Sequence, residues 1–257
     1  MFVFLLTDIF FYIIIFSIGL YIFYVRKTKD ILETWKHVFR SRTGIISIVV
    51  LSFFLLIAIL DSIHIKEKIY NEQTESFSYE SEIKSVLDII LLPTYKNYEK
   101  SYSSPFSSNL YSKETIILEN NIERRVYPKL LYKGNHNKYA SDNTANILLT
   151  FIISLLKYFF VFSIFYLFFY FRIIFKSKNN IFIPFKLNKV FLMTLSIILI
   201  LSIFLYELSL QYYVLGTDKV GVDVLYKSIK SIRTGILIGT LTTIVMLPFA
   251  IFLGIFA

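Results

Sequence analysis

Five stretches of the chain carry no charge or almost none, at about residues 9–25, 43–60, 147–171, 190–206 and 234–257. A helix needs roughly 20 apolar residues to cross the hydrocarbon core of a bilayer, and about 17 is the lower limit. The first stretch has no basic segment before it and is followed by Arg26, Lys27 and Lys29, the reverse of a cleavable signal peptide. The pattern therefore predicts an all-α membrane protein with about five transmembrane helices, the first of which is not cleaved.

The polar segments between these stretches predict how the helices are oriented. Residues 26–42 carry six Lys or Arg and two acids, and residues 172–189 carry five Lys or Arg and no acid. Short loops rich in Lys and Arg stay on the cytoplasmic side of a membrane. Residues 61–145 hold eleven basic and twelve acidic side chains, a balanced charge that suits the far side. We therefore expect the N-terminus, residues 61–145 and residues 207–233 to lie outside.

These assignments divide the chain into six segments, one of which is an outer insert of mixed or irregular structure. In chain order they are 1–42 (an extra N-terminal helix plus a cytoplasmic interfacial helix), 43–60 (a transmembrane helix), 61–145 (the insert), 146–206 (a pair of transmembrane helices), 207–233 (an outer amphipathic elbow) and 234–257 (the last transmembrane helix).

The interfacial helix is predicted from residues 31–42. Their apolar side chains fall on one helical face and their basic side chains on the other, with Trp35, the single Trp of the chain, at the border. Such a segment lies in the plane of the membrane surface. The alternative is a solvated linker whose periodicity arose by chance.

Composition excludes a soluble enzyme. The chain is 56% hydrophobic and only 18% charged, and its mean hydropathy is +0.63. It has no Cys, its three histidines (His37, His64 and His136) are far apart, and no phosphate-binding loop, zinc motif or nucleophile elbow occurs. We expect no catalytic, cofactor or metal site. The net charge of +9 fits topology and anionic lipid better than nucleic acid.

Two charged residues and two glycines stand out within the apolar stretches. Lys157 lies inside the third stretch and Glu207 lies at the end of the fourth. Because a charged side chain in hydrocarbon is costly, such a residue is first considered as a functional one. They are either an intramembrane pair or, more simply, a lysine that reaches the surface alone and a hydrated glutamate. Gly235 and Gly239 are spaced for close packing of the last helix against another helix.

Residues 215–240 carry the most specific pattern. Gly216 permits a tight turn, and Thr217 or Asp218 can cap a helix. An apolar stripe follows, with basic residues away from it, made of Leu225, Ile229, Ile232 and Ile236. The pattern predicts an amphipathic helix on the outer surface that leads into the last transmembrane helix.

This segment resembles the dipeptide/oligopeptide/nickel class of ABC-transporter permeases, specifically the second permease of the pair. The resemblance rests on a block formed by Leu215, Gly216, Thr217, Asp218, Gly221 and Asp223, followed by a basic helix and by Arg233-Thr234-Gly235. Phe39-Arg40-Ser41-Arg42-Thr43-Gly44 is similar to the N-terminal region of that permease, and Tyr98–Pro105 to an enlarged periplasmic loop. The chain departs from the family at Val222, where Arg is usual. The two matching blocks cover about residues 31–64 and 214–257.

The resemblance implies a multi-pass subunit of a bacterial inner-membrane importer for peptides or nickel. Its partners would be a homologous permease, two cytoplasmic ATPases, a periplasmic substrate-binding protein and the lipid bilayer. ATP hydrolysis would belong to the ATPases, so the chain is not expected to be an enzyme. Family members continue for several more helices, so residues 234–257 would be the first helix of a truncated permease core. The alternatives are a membrane-anchored periplasmic binding or sensory module built on residues 61–145, and an inactive remnant of such a permease.

Overall fold

The computed structural model describes residues 2–3, 5–71, 76–79, 81–95, 97–117, 123–133, 142–176 and 189–256. Long helices dominate these ranges. The helices are α1 (Leu6–Lys27), α2 (Lys29–Arg40), α3 (Arg42–Ser62), α4 (Val86–Ile90), α5 (Leu92–Tyr95), α6 (Asp142–Lys176), α7 (Lys189–Gln211) and α8 (Val224–Phe256). The strands are β1 (Phe2–Val3), β2 (His64–Ile65), β3 (Lys68–Asn71), β4 (Ser76–Tyr79), β5 (Lys84–Ser85), β6 (Glu114–Ile117) and β7 (Glu123–Val126).

Five of the described helices are long and apolar enough to cross a membrane. Their candidate spans are Leu6–Lys27, Arg42–Ser62, Asn146–Ile164, Lys189–Gln211 and Val224–Phe256. The number and the helical nature of the predicted spans are thus confirmed. Most of the predicted basic loop at 172–189 lies outside the described residues, as does His136.

The predicted interfacial segment is helical and ends at a defined corner. Its helix, α2, stops at Arg40, and α3 begins two residues later with Ser41 as its N-cap. The Ser41 hydroxyl accepts a hydrogen bond from the Gly44 amide at 3.1 Å, which satisfies one of the unpaired amides of the first turn of α3. The Trp35 ring meets Tyr21 of α1 edge-on, with 6.5 Å between centroids. The location of α2 at a membrane surface stays a prediction.

The described chain forms two compact units, Met1–Leu92 with Tyr226–Ala257, and Pro93–Leu225. In the first unit, β1, β2 and β5 pair antiparallel in that order, with Phe2 opposite Ile65 and His64 opposite Ser85. Ser85 then caps α4, and Asp88 returns a hydrogen bond to the Ser85 amide at 2.9 Å. The hairpin β3–β4 belongs to the same unit.

The second unit joins a helix pair to short paired segments. α6 packs on α7, where the rings of Phe151 and Phe204 meet edge-on at 5.3 Å. The pairing segments near residues 101–104, 108–112, 128–130 and 217–223 are held by isolated antiparallel bridges, and β6 pairs with β7. Leu110, Leu130 and Tyr213 form a small buried core beneath them. This part of the insert therefore has a mixed, loop-rich structure.

The predicted amphipathic segment does lead directly into the last span, but the structure corrects the position of its cap. The turn after α7 runs from Tyr212 to Asp223, and one continuous helix, α8, covers both the amphipathic segment and the last span. The cap of this helix is Asp223, whose Oδ1 accepts the Leu225 amide at 2.9 Å, and neither Thr217 nor Asp218 caps it. The physical reason is that the Asp218 carboxylate is already used inside its own loop, by the amides of Val220 and Val222 at 3.0 Å each.

Candidate functional site

The candidate site is the loop 215–223, whose two glycines are required by their surroundings. Gly216 and Gly221 have φ angles of +76° and +79°, a region that residues with a Cβ rarely adopt. A Cβ at Gly216 would lie 2.3 Å from the carbonyl oxygen of Ser103, and one at Gly221 would lie 1.7 Å from that of Glu99. The loop thus lies directly against the backbone of the insert at both glycines.

The polar residues of the block bind the loop to the insert and to itself. The buried Thr217 hydroxyl donates to the Ser101 carbonyl at 2.8 Å, and the Thr217 amide donates to the Ser103 hydroxyl at 3.2 Å. Asp218 closes the turn through two amides, while Asp223 caps α8. Val222, at the position where the resemblance expects Arg, is half-buried and supplies one of those amides to Asp218.

A buried glutamate of the insert, Glu99, is the centre of the site, although it was not predicted as a site residue. The Glu99 carboxylate accepts the amides of Leu131 at 2.9 Å and Tyr132 at 3.0 Å, and the hydroxyl of Tyr213 at 3.2 Å. Its own amide donates to the Gly221 carbonyl at 3.0 Å. Glu99 therefore fastens three separate segments of the second unit to one another.

A buried ion pair completes the site. Lys133 Nζ lies 2.9 Å from Asp223 Oδ2 and 4.5 Å from the ring centroid of Tyr213. Burial lowers the pKa of the Lys133 ammonium below its usual value of 10.5, although attraction to Asp223 offsets part of this effect. Burial and the adjacent Glu99 carboxylate raise the pKa of Tyr213. These groups hold one another in place through charge and hydrogen bonds.

A second buried ionic cluster lies in the first unit, where the start of α1, the end of α3 and the third turn of α8 meet. Arg233 of α8 bonds to Asp8 in the first turn of α1 and lies 3.6 Å from Asp61 at the end of α3. Asp8 Oδ2 is also 3.0 Å from His64 Nδ1, and the Ser62 hydroxyl donates to Asp8 Oδ1 at 3.2 Å. Arg233 and His64 were considered from the sequence, but Asp8, which contacts both of them, was not. The one available signal was a carboxylate at the edge of an otherwise apolar helix.

A third carboxylate anchors α8 one turn earlier. Asp88 of α4 accepts hydrogen bonds from the Tyr226 hydroxyl at 2.6 Å and from Lys230 Nζ at 2.8 Å. Burial alone would raise the pKa of Asp88, but the hydrogen bonds from Lys230 and Tyr226 outweigh it and lower the pKa below its usual value of 3.8.

The structure brings Lys157 and Glu207 together. Lys157 Nζ lies 2.5 Å from Glu207 Oε1, and their side chains are 52% and 12% exposed. The adjacent Tyr158 hydroxyl and the Ser196 hydroxyl lie 2.6 Å apart, so a second polar contact joins α6 to α7.

The glycine pair of α8 has no neighbour within the described residues. A Cβ built on Gly235 or Gly239 would meet nothing within 4 Å. Packing of this face against a helix of another protein stays a prediction.

The described residues contain no group of three or more His, Asp or Glu arranged to hold a metal ion. No family model matches the chain, and neither a curated protein nor a solved structure matches it.

Proposed function

We propose that this chain is a permease subunit of an ABC importer of the dipeptide/oligopeptide/nickel class and forms part of the translocation path with a second permease. One observation supports the proposal most strongly. The local structure requires the residue types that occur in the resembling block. Gly216 and Gly221 have positive φ angles, Asp218 closes the turn and Asp223 caps α8. The residues on which the resemblance rests thus form one structural unit, as the proposal requires.

The exposed surface of α8 is consistent with a partner helix inside the membrane. Residues 241–256 are exposed throughout, and the glycines at 235 and 239 leave room for close approach of another backbone. Association of helices in lipid depends on such small residues because the hydrophobic effect no longer drives it. A homologous permease is the partner that the resemblance implies. Hydrolysis of ATP would take place in two cytoplasmic ATPases, so the chain itself is not an enzyme.

The ionic cluster around Asp8 fits a topology in which these parts of α1, α3 and α8 lie on the same side of the membrane, and we place that membrane as the bacterial inner membrane. Asp8 is at the start of α1 and Asp61 at the end of α3, and both bond to Arg233 near the start of α8. The predicted topology puts these three ends on one side, the periplasmic side. Residues 61–145 would then be a periplasmic insert, beside the docking place of a substrate-binding protein.

The insert gives less support to a separate sensory module. Glu99 depends on Tyr213 and Gly221, and Lys133 depends on Asp223, so its folded core uses residues beyond 145. A sensory module carried by residues 61–145 alone would need a core of its own.

Uptake by the cells that carry the gene tests the proposal. Disruption should abolish uptake of a radiolabelled tripeptide or of radiolabelled nickel, and the wild-type gene should restore it. Gly221→Val should fail to restore uptake, because its side chain would overlap the backbone of Glu99. Gly19→Ala is the matched control, since nothing lies within 4 Å of a Cβ there. Unchanged uptake of both probes after disruption would contradict the proposal.

A further inference from the structure

A cleft of about 500 Å³ lies between α1 and α2 in the first unit. The helix α1 ends at Lys27 and α2 begins at Lys29, so the chain changes direction at Thr28. The volume is within the range of small-molecule sites, about 300–1,000 Å³. The lining combines one residue of α1 with five of α2: Tyr21, Asp30, Ile31, Thr34, Trp35 and Val38.

Two aromatic rings and one carboxylate give this cleft its chemistry. The rings of Tyr21 and Trp35 meet edge-on, with 6.5 Å between centroids and 68° between planes, so they form a corner. Asp30 is the one charged residue of the lining, and its carboxylate has no ion pair among the residues that the structure describes. Aromatic faces bind ammonium groups, and a carboxylate attracts the same charge. The cleft therefore suits a cationic group and disfavours an anion.

The surroundings of the cleft suit the other parts of a phospholipid. Lys29, next to Asp30, is exposed and offers a positive charge to a phosphate. On α1, Ile18 lies one turn before Tyr21 and is 44% exposed, and α1 is a candidate membrane span. A ligand with its polar head in the cleft can thus lay an apolar chain along α1.

We propose that the cleft binds the headgroup of phosphatidylethanolamine, a phospholipid that carries an ammonium group next to its phosphate. The ammonium lies against Asp30 and the rings of Tyr21 and Trp35, and the phosphate lies near Lys29. A lipid with an anionic headgroup and no amine would instead bring its negative charge to the Asp30 carboxylate. The inference requires α2 to lie at a membrane surface, and it is independent of the transport function proposed above.

Trp35 is the only Trp of the chain, so its fluorescence reports on the cleft directly. The full chain in dodecyl maltoside micelles is titrated with phosphatidylethanolamine or phosphatidylglycerol whose acyl chains carry bromine, which quenches a nearby indole. Half-maximal quenching of the wild type should need about fivefold less phosphatidylethanolamine, the upper end for one exposed ion pair. The net charge of +9 would by itself favour the anionic lipid, so this preference cannot come from overall charge.

Substitutions of Asp30 test the contact with the ammonium. Asp30→Asn should remove the preference, and Asp30→Lys should reverse it. Glu33→Gln and Glu33→Lys are matched controls that should keep the preference, because Glu33 is an exposed acid of the same helix outside the lining. Asp30 also lies in the first turn of α2, where a carboxylate stabilises the helix by itself. That role would change the helix content measured by circular dichroism but would not select between lipids.

Three results would overturn the proposal. The first is equal quenching of the wild type by the two lipids, and the second is a preference that survives in Asp30→Asn. The third concerns water-soluble phosphoethanolamine, which lacks acyl chains and should not relieve the quenching at a concentration equal to that of the lipid. Full relief would assign the cleft to a soluble amine instead of a phospholipid.

Discussion

Replacing Gly221 by alanine should open the site around Glu99. The added Cβ would lie 1.7 Å from the Glu99 carbonyl oxygen, 2.4 Å from its carbon and 2.8 Å from its nitrogen. All three are backbone atoms, so no side chain can rotate away to make room. The backbone of Glu99 must move, and its hydrogen bond to the Gly221 carbonyl, 3.0 Å long, must lengthen or break.

The magnitude follows from two contributions. A residue with a Cβ in the left-handed conformation of Gly221, at φ +79°, costs about 1–2 kcal/mol. A displaced Glu99 also weakens its bonds to the Leu131 and Tyr132 amides, and hydrogen bonds to a charged group contribute about 1.5–3 kcal/mol each. The loss of local stability should therefore reach about 3 kcal/mol or more.

Hydrogen exchange at the amides of Leu131 and Tyr132 measures this loss directly. A loss of about 3 kcal/mol corresponds to roughly 100-fold faster exchange through local opening. Gly239→Ala is the control, because its Cβ meets nothing and alanine is favoured over glycine inside a helix by about 1 kcal/mol. Wild-type protection of both amides in Gly221→Ala would refute the reasoning.

Three further predictions concern topology, acid stability and the intramembrane pair. Reporter fusions at residues 100 and 180 should report opposite compartments, and the same compartment for both would contradict the topology. The pKa of Asp88 in the folded protein is lower than its usual 3.8, so its contribution to stability is present above pH 3.8 and is lost as the pH falls through the folded value. The difference in unfolding free energy between wild type and Asp88→Asn should therefore narrow as the pH falls below 3.8. A difference that stays constant with pH would contradict an anchoring role for Asp88. For Lys157→Met and Glu207→Gln, the double variant should lose less thermal stability than the sum of the single variants, whereas additivity within about 0.5 kcal/mol would mean no interaction.

The spans were predictable because they depend on properties local to each segment. A helix such as α3 must satisfy its backbone within itself and expose apolar side chains to lipid, so length and composition alone identify it. The glycine block was also accessible, since a glycine in a loop with a neighbouring Asp indicates a tight turn. Even so, the sequence placed the helix cap at Thr217 or Asp218, because it could not show that the loop amides already use the Asp218 carboxylate.

The buried pairs were not predictable because their partners lie far apart in the chain. Lys133 and Asp223 are 90 residues apart, and Asp8 and Arg233 are 225 apart. Each of these residues is an ordinary charge in its own segment, and Glu99 is one acid among twelve in the insert. The periodicity of a segment shows which face is polar, but it does not show which group that face meets.

The first turns of α8 show what this limit means physically. An amphipathic segment next to a span suggests that its polar side faces water, as we predicted for residues 207–233. Tyr226, Lys230 and Arg233 lie at i, i+4 and i+7, hence on one face of the helix. That face meets Asp88, Asp8 and Asp61, three carboxylates that are each 2% exposed or less. The basic residues therefore attach the start of α8 to the rest of its unit, and removal of Lys230 or Arg233 would leave a buried carboxylate without its cation, which is costly.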